Sequence, residues 1–197
     1  MNRLPRYDPL ENYLKRFACL PQHEWNQLKE LFIPKRMKKN QFFLKAGDHL
    51  STIGFNMEGI FRYFYIDYEG NEKTKHFVSS HEFVFSLSSF IEKTPSLYFI
   101  EALEDSELLV AQVENIYHLL QVNKLWQTVY QSILENTYLV KEKREAEFLL
   151  YNAKVRYLHF IEEYPEINKR VKQYIIASYL GITPESLSRI RNQLESS

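Results

Sequence analysis

Glu185, Ser188, Arg189 and Asn192 recur at intervals of three, one and three residues. They therefore line one side of a helix, and all four carry hydrogen-bonding side chains. Leu187, Ile190 and Leu194 form the opposite, apolar side. A polar row at the start of a helix can reach base-pair edges in a major groove, where arginine is the commonest reader of guanine. Thr183 is a good N-cap for this helix and Pro184 suits its first position. Upstream, Ile175, Ile176, Ala177 and Leu180 make the apolar face of a shorter helix. Gly181 follows its last turn, where a left-handed residue is expected, and Ile182 plugs the space between the two helices. This is a helix-turn-helix. Thr183, Glu185, Ser186, Ser188, Arg189, Asn192 and Lys172 are the residues expected to touch DNA. An ordinary helical hairpin is the plainer reading, but cap, turn, stripe and charge agree on the DNA-binding one.

Other chemistries are poorly served. The five glycines are Gly47, Gly54, Gly59, Gly70 and Gly181, no two close enough for a phosphate-cradling loop. One cysteine, Cys19, excludes an internal disulfide, a Cys-based zinc site and a Cys-ligated cluster within one chain. The six histidines include no His-x-His pair and no His-Glu-x-x-His, so a cupin-type metal triad is missing its start. No nucleophile elbow surrounds Ser86, Ser88 or Ser89. The sequence reads as that of a non-enzyme, with no metal and no cofactor.

These residues need elements to position them. Leu10, Leu14 and Phe17 predict one early helix; Trp25, Leu28, Leu31 and Phe32 predict another, ended by Pro34. From about Met37 to Val113, short aromatic and β-branched runs alternate with turns. They cover 41–44, 52–56, 60–67, 73–78, 98–103 and 108–113 and predict an antiparallel sandwich or barrel. Neither Gly nor Pro occurs from 114 to 164, which reads as one long helix with a joint at 149–152 and a further helix over 153–163. Trp126, Val129, Ile133, Asn136 and Val140 form one stripe, expected to face a second copy of the chain, with the β-roll as the alternative partner. Tyr130, Leu134 and Tyr138 form a second stripe beside it. Asn136 either fixes register between paired helices or faces solvent. The expected class is α+β: an N-terminal antiparallel, jelly-roll-like β-roll with flanking helices (1–113), a long dimerisation helix (114–150) and a C-terminal helix-turn-helix domain (151–197).

Composition agrees with a folded chain: 45% hydrophobic residues leave enough to bury a core. Lys+Arg and Asp+Glu balance at 25 each, yet between 168 and 194 Lys169, Arg170, Lys172, Arg189 and Arg191 face Glu185 alone. A basic end on a mildly acidic body suits an anionic partner. No charge-free stretch approaches the roughly 20 residues of a membrane span, and the opening residues lack a leader's apolar core. A cytoplasmic location without membrane association is expected.

The segment from Ile176 to Ile190, Ile-Ala-Ser-Tyr-Leu-Gly-Ile-Thr-Pro-Glu-Ser-Leu-Ser-Arg-Ile, resembles the helix-turn-helix of the Crp/Fnr family of bacterial transcription regulators, in the short form common in Bacteroidetes. Leu44-Lys-Ala-Gly-Asp48, Gly59-Ile-Phe-Arg62 and the run from Phe99 to Glu107 resemble parts of that family's cyclic-nucleotide-binding β-roll. The resemblance implies a homodimer on a near-palindromic double-stranded operator, with RNA polymerase as a further partner. It also implies base contacts by Glu185 and Arg189, while Pro184 stands where the family often has an arginine. The sensor departs further. The family's Gly-Glu pair falls on Phe85-Ser86, its phosphate-binding arginine on Ser96, and its base-touching hydroxyl pair on Lys141-Glu142. The cassette is degenerate for cyclic AMP, and the effector is left unidentified. Phe83, Phe85, Leu87 and Phe90 make an apolar wall there, and Lys93 is the one candidate to replace the missing charge. The alternative function is a ligand-binding or protein-interaction module whose helix-turn-helix has lost DNA affinity.

Overall fold

Strand β3 (Thr52–Glu58) is the centre from which the sheet around it is understood. It pairs antiparallel with β8 (Ser106–Gln112), Gly54 opposite Val110 and Phe55 opposite Leu109, and with the two-residue β6 (Phe83–Val84) on its other side. Beyond β8 lies β1 (Ile33–Met37), Ile33 opposite Val110 and Met37 opposite Ser106, giving the order β1-β8-β3-β6. The second four-stranded sheet has the order β2-β7-β4-β5, formed by Phe42–Leu44, Phe99–Ala102, Phe61–Ile66 and Glu72–Val78. The structure, a computed structural model, describes residues 7–195. The opening segment, read above as lacking a leader's apolar core, lies outside them. The architecture is mixed α+β with two antiparallel sheets, as expected.

Two compact units are distinguished: residues up to Arg62 with Phe77–Thr137, and Tyr63–His76 with Tyr138 onward. The core of the first is built by α1 (Asp8–Lys15), α2 (Gln22–Leu31) and the sheet around β3. Leu10, Leu14, Trp25, Leu28 and Phe32 pack with Phe55, Leu109 and Ala111. Each leucine or phenylalanine among them, taken fully out of water, contributes roughly 1.5–3 kcal/mol.

Several boundaries differ from the sequence reading. Pro34 does not simply end a helix; it lies inside β1, an edge strand, where a missing N–H is tolerated. Strands β1 and β6 and helix α3 (Leu87–Glu92) were not expected. The single helix from 114 is two: α4 (Val113–Val122) and α5 (Lys124–Leu150). Asn123 breaks them with an extended backbone (φ −132°, ψ 113°), and its side-chain oxygen accepts the Leu125 N–H at 2.9 Å, capping α5. Its amide donates to Glu24 of α2, which also accepts the Trp126 indole N–H at 3.0 Å. One carboxylate thus holds the break in place. The joint at 149–152 and the helix α6 (Ala153–Glu163) fall where expected, with Asn152 accepting from the Val155 N–H at 3.1 Å.

Candidate nucleic-acid interface and candidate effector site

In the second unit α6 and α7 (Pro165–Arg170) support α8 (Gln173–Leu180) and α9 (Pro184–Glu195). Tyr157, Phe160 and Ile167 are buried with Ile175, Ile176, Ala177, Leu180 and Leu187. Gly181 takes the left-handed conformation (φ 68°), and the Ile182 N–H returns to the Ala177 carbonyl at 3.0 Å, closing α8 as the sequence predicted. Any side chain there meets an unfavourable φ, and a Cβ would lie 2.9 Å from the Phe148 ring. Gly181→Ala is expected to cost about 1–2 kcal/mol, measured by urea unfolding; an unchanged midpoint contradicts the role of this turn.

Two arginines that sequence reasoning missed hold the same turn from behind. Arg144 of α5 donates to the Tyr179 carbonyl at 3.0 Å and to the Lys75 carbonyl, and its guanidinium lies 3.7 Å from the Tyr179 ring centre. Arg156 of α6 donates to the Leu180 carbonyl at 3.0 Å. The last carbonyls of a helix have no partner of their own and carry its negative pole, so cations there both bond and stabilise. Ser178 adds a third fastening: its hydroxyl donates to the Glu72 carbonyl and accepts the Thr74 N–H, each at 2.9 Å. No local spacing announces these contacts, because they join residues up to 106 positions apart. Burial and the charges of Arg144 and Lys141 lower the Lys75 pKa to about 8. Burial above all, then Arg144, Lys75 and Lys141, push that of His76 to about 4. His76 is therefore a neutral, half-buried histidine lying edge-on to Tyr63.

The outer side of α9 is as expected. Glu185, Ser188, Arg189 and Asn192 are exposed, and so are Thr183 and Lys172. Thr183 caps α9, accepting the Ser186 N–H at 3.2 Å, and its hydroxyl lies 3.1 Å from that of Ser186. Ser186 is half-buried and engaged in the cap, so its hydroxyl serves the helix start. The Glu185 carboxyl is held below its ordinary pKa by its own backbone N–H, then by Thr183, with Arg189 adding to the effect. Arg189 is thus flanked by a fixed negative charge one turn back.

The first unit holds Ser86 and Ser96, the positions expected to belong to a degenerate cassette. Ser86 and Ser96 are 0% and 2% exposed, and both hydroxyls are used internally. Ser86 caps α3 and lies 2.8 Å from the Ser89 hydroxyl, and Ser96 donates to the Tyr98 carbonyl at 2.8 Å. Phe85 packs edge-on to Phe90, which stacks on Tyr117 with ring centres 4.6 Å apart. Lys93 is exposed and sits 5.0 Å from the Tyr117 ring centre. Lys141 and Glu142 are exposed on α5. Among the described residues no three His, Cys, Asp or Glu side chains gather in a metal-binding group, and no helix is long and apolar enough to cross a membrane.

The expected dimer stripe is redistributed. Trp126 and Val129, 3% and 2% exposed, belong to the core with α1 and α2 and offer nothing to a partner; the assignment of these two to an interface is corrected. Ile133 is half-buried against the same core. Asn136 and Val140 are exposed. Further along α5, Tyr138, Leu139, Leu149 and Leu150 are exposed too, and Leu139, Ala146 and Leu150 share a face at spacings of seven and four.

Residues 34–123 match the family model of the cyclic nucleotide-binding domain. None of the curated proteins matches the sequence. Solved structures do. A transcriptional regulator of the Crp/Fnr family from Eubacterium rectale is similar at a TM-score of 0.73 and 15% identity, over 94% of this chain and 88% of that one. FixK2 of Bradyrhizobium japonicum is similar at 0.72 and 13%, over 84% and 85%. The c-di-GMP responsive global regulator CLP of Xanthomonas campestris is similar at 0.69 and 15%, over 87% and 90%. At these identities the likeness establishes the fold: a cyclic-nucleotide-binding-type β-roll in a chain folded like Crp/Fnr regulators.

Proposed function

We infer that this chain is a transcription regulator of the Crp/Fnr family, a homodimer that binds a near-palindromic duplex through α9 and senses something other than a cyclic nucleotide. The observation that carries the reading is the exposed row Glu185, Ser188, Arg189 and Asn192 on a helix whose start is fixed by the Gly181 turn and the Thr183 cap. Two such helices, one per protomer, enter successive major grooves about 34 Å apart. Lys172 and the neighbouring cations Lys169 and Arg170 supply the phosphate contacts that make binding salt-dependent. The exposed apolar face of α5 around Leu139 and Leu150 supplies the surface on which protomers join. Selection of bound sequences from random duplex DNA tests the reading; a chain that enriches no sequence and shows no salt-dependent gel shift is the interaction module instead.

Cyclic AMP and cyclic GMP are expected not to bind. The places of the ribose- and phosphate-holding residues are taken by Ser86 and Ser96, buried and already hydrogen-bonded. A phosphate brought there meets no bidentate, charge-assisted partner, and a buried anion without one is strongly disfavoured. Calorimetric titration reads this directly, and micromolar binding of either nucleotide contradicts it.

A further inference from the structure

A cavity of about 80 Å³ lies within the first unit, walled by Leu14 of α1, Leu28 of α2, Phe85 and Phe90 at α3, Leu120 of α4 and Ile133 of α5 among others. Every residue around it is aliphatic or aromatic, and Tyr130 is the nearest to a polar one. Protein interiors are packed with few voids larger than a water molecule, and each side chain facing a void forgoes dispersion contacts on that side. Water does not repair the loss here, because a water needs polar partners and the wall offers almost none; such cavities stay dry and accept apolar guests.

Three features select the guest. Neither Ser86 nor Ser96 lines the cavity, while Phe83, Phe85 and Phe90 do, so it offers the apolar wall beside those positions without their hydroxyls. No Lys, Arg, His, Asp or Glu lies on the wall, so an ionised ligand finds no counter-charge. The volume is about half of the roughly 150 Å³ that encloses a whole benzene ring, and the cavity is only partly enclosed, so a narrow chain enters and a polar end stays at the mouth. We propose that this cavity binds the short alkyl chain of a small uncharged molecule. Trp126, Val129, Tyr130 and Ile133 of the wall all belong to α5, so the occupant bears on the helix assigned above to dimerisation. The site deepens the regulator reading by naming the chemical class of its effector.

The test uses the full chain and straight-chain alcohols from 1-butanol to 1-octanol, followed by the indole N–H resonance of Trp126. That N–H is held by Glu24 at 3.0 Å and lies on a wall residue. The expected result is a saturable shift whose apparent affinity rises about fourfold per added methylene until the cavity is full. Leu120→Phe fills the space and abolishes the response while the circular dichroism spectrum is kept; Ile133→Phe serves if that chain fails to fold. Absence of a saturable shift with every alcohol, affinity independent of chain length, or an undiminished response in a folded filled variant overturns the site. Binding is read on the free protein. A chain that takes the alcohols and selects no duplex overturns the regulator reading alone, and one that selects a duplex and ignores them overturns the site alone.

Discussion

Replacing Arg189 by alanine leaves a folded protein that still associates with duplex DNA but no longer selects its operator. Arg189 is exposed on the outer side of α9, so its removal costs the fold little. Its partner is expected to be a guanine edge, and each good bidentate base contact is worth roughly 1–3 kcal/mol of discrimination. A dimer loses two copies, so selectivity falls by at least about thirtyfold. Glu185 sharpens the effect: its carboxylate, kept ionised by its own N–H and by Thr183, neighbours Arg189, and without the arginine it is left as a lone negative charge facing the groove. Lys172→Ala is the contrasting control. As a phosphate contact it weakens all sequences alike and lowers the salt slope by about one per copy. Competition gel shifts with operator and scrambled duplex measure both. Undiminished selectivity in Arg189→Ala removes α9 as the reading helix.

Leu139→Glu gives a folded monomer. Leu139 is 60% exposed in the single chain, so a glutamate there remains in water and the protomer keeps its stability to within about 0.5 kcal/mol. In a dimer joined along α5 the same substitution places like charges on the two facing helices, which is strongly unfavourable out of water. Operator affinity drops with dimerisation, because linking two half-site contacts multiplies affinity by roughly 10²–10⁴ and a monomer forfeits that gain. Ile133→Glu behaves differently. Ile133 packs against the core of Leu14, Trp25 and Leu28, so the charge unfolds that unit before it separates any protomers. Sedimentation with circular dichroism distinguishes the two variants, and a folded, undiminished dimer of Leu139→Glu rules out this face of α5 as the contact.

Much of the candidate interface was legible because it is written in local chemistry. Gly181 at φ 68°, Thr183 at the start of α9, and Leu187 at 0% exposure each answer to neighbours within a few residues. Caps, turns and periodicity act over that range. The β-roll was legible to the extent that its strands alternate and its turns are punctuated. Strand β1 was missed because Pro34 signals an ending locally, whereas its pairing with Leu109 arises from a strand more than seventy residues on. Asn123 was missed for a similar reason: an unbroken run without Gly or Pro reads as helix, and the break depends on Glu24 from α2.

The sequence by itself determined the secondary elements of the C-terminal motif, the outward polar row, and the apolar stripe of the long helix. It could not determine which members of that stripe were already spoken for. Periodicity states that a helix has an apolar side, not what covers it, and burial is a property of three-dimensional neighbours. The tertiary structure decided that Trp126 and Val129 serve the chain's own core while Leu139 and Val140 stay exposed. It also decided that Arg144 and Arg156, indistinguishable in sequence from solvated surface charges, close the last carbonyls of α8. The reason is the same in each case: a hydrogen bond or an apolar contact between distant residues exists only once the fold has brought them within a few ångströms, and no local signal encodes that approach.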